Sequence, residues 1–446
     1  MSCTVDNSLT ELAKLECHFT WDMNKRDTNL TDLLTRLEQH RDLKLGQEAG
    51  TAHTHNSLAY VKYLLGSHED ALTNLKKSVE LTKDGYGDNC DEKLIVTYGN
   101  FAWVHYHMKH YAECQSYLEK LKKIKQKNPP VSTSALHPQV LGEKAWALFK
   151  FSRKYYRRAQ ECFKKALELE PEDGEWNAGY AIVLYRTETK CASPENSSAT
   201  NQLRRAIETN PDNDELKLLL ALKLAEFKLF DEAEDLVERA LEMSPDSPHV
   251  NRYVGKYMRT YGSLDRSISV LKRALDVSPN SAFIHHQLAL CYKQIIREQP
   301  ESQRFRHLSI SHFEKAITLK SDFIIAMAQL AILYSEDEQI DRAEEVFQTA
   351  LFTAKEKPEG VQALYLYYGE FQQYRKRNQH LAIKYYKDCL KMKPGTRDGK
   401  KSAKNLRKIA NKRLSYNTND TMGLGILKFI KQVTGEKQFT ACEHFL

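Results

Sequence analysis

Four stretches decide the fold: Ala166-Leu-Glu-Leu-Glu-Pro171, Ala206-Ile-Glu-Thr-Asn-Pro211, Ala240-Leu-Glu-Met-Ser-Pro245 and Ala274-Leu-Asp-Val-Ser-Pro279. The last three prolines, at 211, 245 and 279, stand 34 residues apart, the period of the tetratricopeptide repeat. Working back from each proline, small and large residues keep their places. Ala159, Phe163 and Ala166 precede Pro171, while Ala233, Val237 and Ala240 precede Pro245. Ala382, Tyr386 and Cys389 precede Pro394 in the same register. Small side chains at fixed places let two antiparallel helices approach closely, and the proline ends the second of them. One such pair cannot bury its apolar face alone. The units must stack, which predicts an all-α tetratricopeptide-repeat superhelical solenoid whose concave side is lined by first helices.

The rest of the composition agrees. The 446 residues suit one continuous solenoid, and a hydrophobic content of 41% supplies its core. Charged residues make up 28%, and the mean hydropathy is −0.60. No apolar run is long enough to span a bilayer, so no membrane association is expected. The start, Met-Ser-Cys-Thr-Val-Asp-Asn, lacks a basic segment followed by an apolar one, so no secretory signal is expected. Nine cysteines without CxxC pairing read as reduced thiols of a cytoplasmic protein. A net charge of +7 permits an anionic partner without requiring one.

Residues 1–55 read as an N-terminal helical cap, with helical patterns from Leu9 to Phe19 and from Leu30 to Leu45. The repeats run from 56 to 394, beginning at Asn56–Leu81, Asp91–Ile124, Gln139–Pro171 and Glu175–Pro211. The fourth carries extra residues within 188–198, a surface loop. Repeats five and six start at Asp214 and Ser247, and the seventh has an insertion near 297–306, its second helix resuming at His307. Repeats eight and nine cover Phe323–Lys355 and Val361–Pro394. Residues 395–446 form a basic helical segment and an incomplete final repeat from Thr421, ending as a short cap or a truncated unit would. Between Lys387 and Arg413 stand eleven Lys or Arg against two Asp. By itself that tract reads as a solvated face.

The functional signal lies on the first helices. Positions 2, 5, 9 and 12 of a first helix face the concave side of such a repeat. In His249-Val-Asn-Arg-Tyr-Val-Gly-Lys-Tyr-Met-Arg259, counting Gly255 as position 8 places Arg252, Lys256 and Arg259 at 5, 9 and 12. A solvated face is the bland account of three cations on one stripe, since like charges repel there. The neighbouring repeats add to the stripe. His286 and Lys293 take positions 5 and 12 of repeat seven, Glu175 position 2 of repeat four beside Tyr185 and Arg186, and Lys150 position 11 of repeat three. Tyr156, Tyr253, Trp146 and Tyr185 lie among these cations. Basic side chains interleaved with aromatics suit a nucleic-acid strand, phosphates on Arg and Lys, bases and sugars on rings. Taken alone, Trp146 reads as core and His286 as a structural histidine.

The rival reading is a scaffold that takes acidic peptides in the same groove. The carboxylate clamp of peptide-binding repeats asks for Asn at position 9; here that position reads Tyr60, Trp103, Leu148, Ile182, Leu222, Lys256, Leu290 and Ile332. No P-loop, GxSxG or HExxH motif appears, and His285-His286 is adjacent rather than spaced for a metal. The chain does not read as an enzyme, and no metal site is expected.

Several phrases go beyond general repeat patterning: Leu15-Glu-Cys-His-Phe-Thr-Trp21, Tyr98-Gly-Asn-Phe-Ala-Trp103, Trp146-Ala-Leu-Phe-Lys150, Gly179-Tyr-Ala-Ile-Val-Leu-Tyr-Arg186 and His285-His-Gln287. On these, over nearly its whole length, the chain resembles the interferon-induced proteins with tetratricopeptide repeats, most of all the kind that grips the 5′-triphosphate of single-stranded RNA. The resemblance implies an antiviral RNA-binding protein with a partly closed basic tunnel that sequesters RNA 5′ ends without reading sequence. Related family members are its other implied partners. Carried over, Lys150, Arg186, Arg252 and His286 hold phosphates. Tyr156, Tyr253, Lys256, Arg259, Gln287 and Trp146 line the RNA path, and Glu175 contacts the first nucleotide. The early helix that supplies triphosphate contacts is shifted here, making Asp32, Arg36 and His40 its equivalents. No cofactor is implied beyond a Mg2+ ion travelling with the triphosphate. There are departures: family tyrosines are replaced by His249 and Glu215, and the loop that serves a methyl cap elsewhere reads Leu45-Gly-Gln-Glu48. The triphosphate end is therefore expected over a cap. Lys400, Lys401, Lys404, Arg407 and Lys408 form an outer basic patch for further RNA.

Overall fold

The computed structural model describes residues 8–42, 50–87, 90–127, 136–188, 191–245, 247–355 and 360–435, and no strand occurs among them. Helix begins wherever the repeat pattern asks for it. After each proline a polar residue accepts the first free backbone N–H. Asp173 takes that of Trp176 at 2.7 Å, and Asn213, Ser247 and Ser281 cap the later helices in the same way. A second rule emerges six residues past the proline. Asn177 and Asn251 donate from Nδ2 to the carbonyls of Pro171 and Pro245, at 2.9 and 2.8 Å. His285 does the same work for Pro279, its Nε2 lying 3.0 Å from that carbonyl.

The chain forms two compact units, Met1–Tyr257 and Met258–Leu446. In the first, a short 3-10 turn (His18–Thr20) precedes α1 (Leu30–Asp42). Helix pairs follow: α2 (Gly50–Leu64) with α3 (His68–Tyr86), α4 (Ile95–His107) with α5 (Tyr111–Lys127), and α6 (Pro138–Phe151) with α7 (Tyr156–Leu169). Next come α8 (Gly174–Thr187) with α9 (Ser198–Thr209), and α10 (Asp214–Glu226) with α11 (Phe230–Met243). The division between units falls inside α12 (Pro248–Tyr261). First helices touch one another in order, α2 with α4, α4 with α6, α6 with α8 and α8 with α10, and so form an inner layer.

Small residues set that closeness. Ala59, Ala71, Ala102, Ala145, Ala159, Ala181 and Ala233 are buried to within 1%. A Cβ on Gly179 would meet Phe163 at 2.3 Å, and one on Gly142 would meet the Trp176 indole at 2.2 Å. The phrase Glu16-Cys-His-Phe-Thr-Trp21 belongs to this core. Cys17, His18 and Trp21 are buried, and Phe19 stacks on Trp103 with centroids 5.8 Å apart. Burying one such aromatic is worth about 2–3 kcal/mol.

The second unit continues with α13 (Leu264–Val277), α14 (Ala282–Glu298), α15 (Gln303–Leu319), α16 (Ile324–Glu336), α17 (Ile340–Thr353), α18 (Val361–Tyr374) and α19 (Gln379–Met392). It ends with α20 (Arg397–Tyr416) and α21 (Thr421–Thr434). Phe313, Phe347, Phe371 and Tyr386 fill its core. The insertion expected over 297–306 is absorbed by lengthening: α14 and α15 have 17 residues each, so the second helix starts at Gln303, not His307. The expected borders at 55/56 and 394/395 are crossed by packing. The helix of the first repeat already begins at Gly50 and packs on α1, and α20 packs on α19.

Candidate nucleic-acid interface

The inner layer of the first unit gathers charge. Lys150, at the C-terminal end of α6, donates from Nζ to Thr54 Oγ1 of α2 at 3.1 Å and stands 5.6 Å from the Trp146 ring. Burial pulls its ammonium pKa down to about 8, against the opposing pull of Glu175 and Glu143. Exposed Arg36 reaches from α1 to the Lys150 carbonyl, donating from Nη2 at 2.7 Å. Its guanidinium thus serves a helix C-terminus, where a cation is favoured. Asp32 lies in the first turn of α1. The side chains of His40 and His249, and the whole loop 45–48, lie outside the described residues.

Arg186, at the end of α8, is exposed in surface area yet crowded by protein, the condition of a side chain lining a recess. Burial disfavours its charge, but Tyr253, Tyr156 and Glu215 outweigh that and hold its pKa above the ordinary value. Tyr156 hydrogen-bonds it, Phe149 lies 5.4 Å beneath it, and Phe149 and Tyr156 pack with centroids 4.9 Å apart. Arg252 stacks on Tyr253 at 4.7 Å, and its Nη2 lies 3.9 Å from Glu215 Oε1, which also accepts from the Tyr253 hydroxyl at 3.3 Å. Lys256 donates to the Tyr185 hydroxyl at 3.3 Å. Lys150, Arg186, Arg252 and Lys256 are therefore cations held on aromatic rings within one unit, as a phosphate-and-base ligand requires. Trp146 is half-buried, edge-on to Phe163 at 5.3 Å, with an indole N–H that has no hydrogen-bond partner among the described residues.

Glu175 sits in the first turn of α8, its Oε1 3.8 Å from His53 Nε2. The other ring nitrogen of His53 lies 3.3 Å from Glu143 Oε2, and Asn56 donates to Glu143 Oε1 at 2.7 Å. Sequence reasoning missed His53, Glu143 and Phe149. One signal was there to find: Glu143 is a carboxylate on an otherwise apolar helix face, which needs a partner when buried.

In the second unit Arg259 donates from Nε to Gln287 Oε1 at 3.1 Å. Gln287 Nε2 approaches His286 Nδ1 at 3.4 Å, and His286 Nε2 lies 2.9 Å from Gln329 Oε1. An amide N–H on one side and an amide oxygen on the other make this a neutral Nε2–H imidazole, and burial lowers its pKa to about 4. His286 thus enters as a fixed neutral group rather than a phosphate-holding cation. Gln329, which orients it, had no motif to announce it. Burial also lowers Lys293 to about 8. The outer patch lies on α20, where Lys400, Lys401, Lys404 and Lys408 are exposed and Arg407 is half-buried. Lys401 pairs with Glu370 at 2.6 Å.

No helix among the described residues is long and apolar enough to cross a membrane, and none of their His, Cys, Asp and Glu form a metal-holding group of three or more. Family models for the tetratricopeptide repeat match residues 50–127, 147–173 and 195–256. The human antiviral innate immune response effector IFIT1 is 36% identical over 441 residues, covering 95% of this chain and 92% of that one. The human IFIT1 dimer solved with PPP-AAAA superposes with a TM-score of 0.83 at 35% identity, and the dimer with m7Gppp-AAAA with 0.85, each covering 96% of both chains. With repeat register, fold and sequence agreeing over nearly its whole length, the chain belongs to the family of interferon-induced proteins with tetratricopeptide repeats.

Proposed function

We propose that this protein binds the 5′-triphosphate end of single-stranded RNA without sequence specificity and sequesters it as an antiviral effector. The observation that carries the reading is the group of ring-mounted cations in the first unit, on a fold shared with an IFIT1 solved with PPP-AAAA. Lys150, Arg186 and Arg252 hold phosphates. Tyr156, Tyr253 and Lys256 flank the first nucleotides, and Glu175 accepts a hydrogen bond from them. Arg36, bound to the Lys150 carbonyl, completes the phosphate end. Within the second unit Arg259, Gln287 and neutral His286 form a hydrogen-bonded chain of their own, and the α20 lysines offer a further anion surface. The protein acts by binding, without catalysis, and Mg2+ enters only with the RNA. The free cysteines among the described residues fit a reducing, cytoplasmic setting.

The test is binding of one short RNA bearing 5′-triphosphate, 5′-monophosphate, 5′-hydroxyl or a methyl cap. Strong preference for the triphosphate supports the reading. Equal binding of all four overturns it in favour of an open basic face. Preference for the cap overturns the order of the two end groups.

A further inference from the structure

His53 stands between two carboxylates that come from two other helices. Its Nδ1 is 3.3 Å from Glu143 Oε2 on α6, and its Nε2 is 3.8 Å from Glu175 Oε1 on α8. A neutral imidazole carries one N–H, so its other nitrogen would turn a lone pair toward a carboxylate lone pair. Nδ1 makes no hydrogen bond of good geometry and the Nε2 approach is too long for one, so both contacts are charge–charge attractions, and only the cation is drawn to both carboxylates. Glu143 is 3% exposed, so its charge cannot be left to solvent.

The neighbouring groups leave this task to His53. Glu92 pairs with His137 at 3.0 Å, Lys93 donates to Gln139 at 3.0 Å, and Asp173 caps α8. His18 is buried and bonded to Asn100 through Nδ1, its pKa lowered to about 4. Among the described residues Lys150 also faces Glu143 and Glu175; one of its three N–H donors goes to Thr54 Oγ1, which leaves the others for an incoming anion.

We propose that His53 is a positioning residue of the RNA 5′-end site: as a cation it clasps Glu143 and Glu175, fixes Glu175 on the strand's path, and leaves Lys150 free to serve phosphate. The inference rests on the triphosphate reading above. When His53 loses its proton, two carboxylates draw on Lys150 instead and repel the incoming phosphates. The neighbouring carboxylates hold its pKa above the ordinary histidine value despite burial, so the proton is lost on the alkaline side of about 6.5.

The experiment compares the full chain with H53Q and H53K, using triphosphate and 5′-hydroxyl RNA between about pH 6 and 7.5, where Lys150 keeps most of its charge. The phosphate's own titration is common to all three proteins and cancels in their ratios. H53Q is expected to weaken triphosphate binding about tenfold, the change that one uncompensated charge typically brings. H53K, a permanent cation, keeps wild-type affinity, and the wild type falls relative to it as pH rises. If H53Q melts early, the ratio of H53K to wild type across pH decides alone. Wild-type affinity in H53Q, or a constant ratio of H53K to wild type, overturns the proposal. A wild type indifferent to the triphosphate overturns the reading beneath it, a separate and visible result.

Discussion

Glu215 puts a carboxylate inside the cationic site, and its replacement by Gln gives a signed test. The carboxylate lies 3.9 Å from Arg252 Nη2, accepts from Tyr253 at 3.3 Å, and helps hold Arg186 charged. E215Q keeps an acceptor for Tyr253 and removes the charge. Two effects oppose each other. Arg252 loses an ion pair that, half-buried but at nearly 4 Å, is worth about 0–1 kcal/mol. A phosphate bound by Arg252 would stand about 7 Å from the carboxylate. At an effective dielectric of about 40, between a surface pair and bulk water, their repulsion is about 1 kcal/mol per phosphate charge. Screening trims the total for a triphosphate to about 1–2 kcal/mol. The repulsion wins. E215Q should therefore bind triphosphate RNA about fivefold more tightly and 5′-hydroxyl RNA nearly unchanged, as read by fluorescence anisotropy at physiological salt. Weaker triphosphate binding by a protein of unchanged melting temperature would refute this, and would make Glu215 a support for Arg252 and Tyr253 rather than a competitor of phosphate.

Other outcomes follow from the same geometry. Reversing Arg186 or Arg252 to Glu should weaken triphosphate binding by about a hundredfold or more with the far-UV spectrum intact; retained affinity would remove these residues from the site. Affinity should fall with salt by ~0.7 in log K per phosphate contact for each tenfold rise, so R252E should show a shallower slope in the same titration. Gly142→Ala drives a methyl into the Trp176 indole and should cost about 1–3 kcal/mol in denaturant unfolding, with the loss appearing in Tm as well. His286 is buried neutral with a pKa near 4, below its unfolded value of about 6.5. Its contribution is present above pH 6.5 and lost as pH falls toward 4, so urea stability should drop by about 1–3 kcal/mol across that window, and by less in H286Q.

The fold was legible because its determinants are local and periodic. Proline, cap and small residue recur at offsets that only a helix pair satisfies. The cations Lys150, Arg186, Arg252 and Lys256, which the structure holds on aromatic rings, were visible for the same reason. The way they pair was not. His53, Glu143 and Glu175 lie on three helices, and sequence distance hides such a triad. Nor could a charge count show that His286 is neutral, since that depends on Gln287 and Gln329 holding one tautomer. Arg36 shows the same limit: its type suits phosphate, but its place was set by the Lys150 carbonyl.

The fourth repeat spans 40 residues between Pro171 and Pro211, longer than its neighbours, yet α9 begins where packing requires. Glu188 explains how. It accepts from Ala199 N at 3.0 Å and Ser197 Oγ at 2.7 Å, and pairs with Lys223, which is 4% exposed, at 3.0 Å. The two ends of the insertion are thus tied to each other and to the next repeat. A chain closed in this way can change length by drift without disturbing the stack. In the laboratory, the same closure makes the segment after Cys191 a natural port for a fluorophore or an affinity tag, far in sequence from every residue proposed to touch RNA except Arg186.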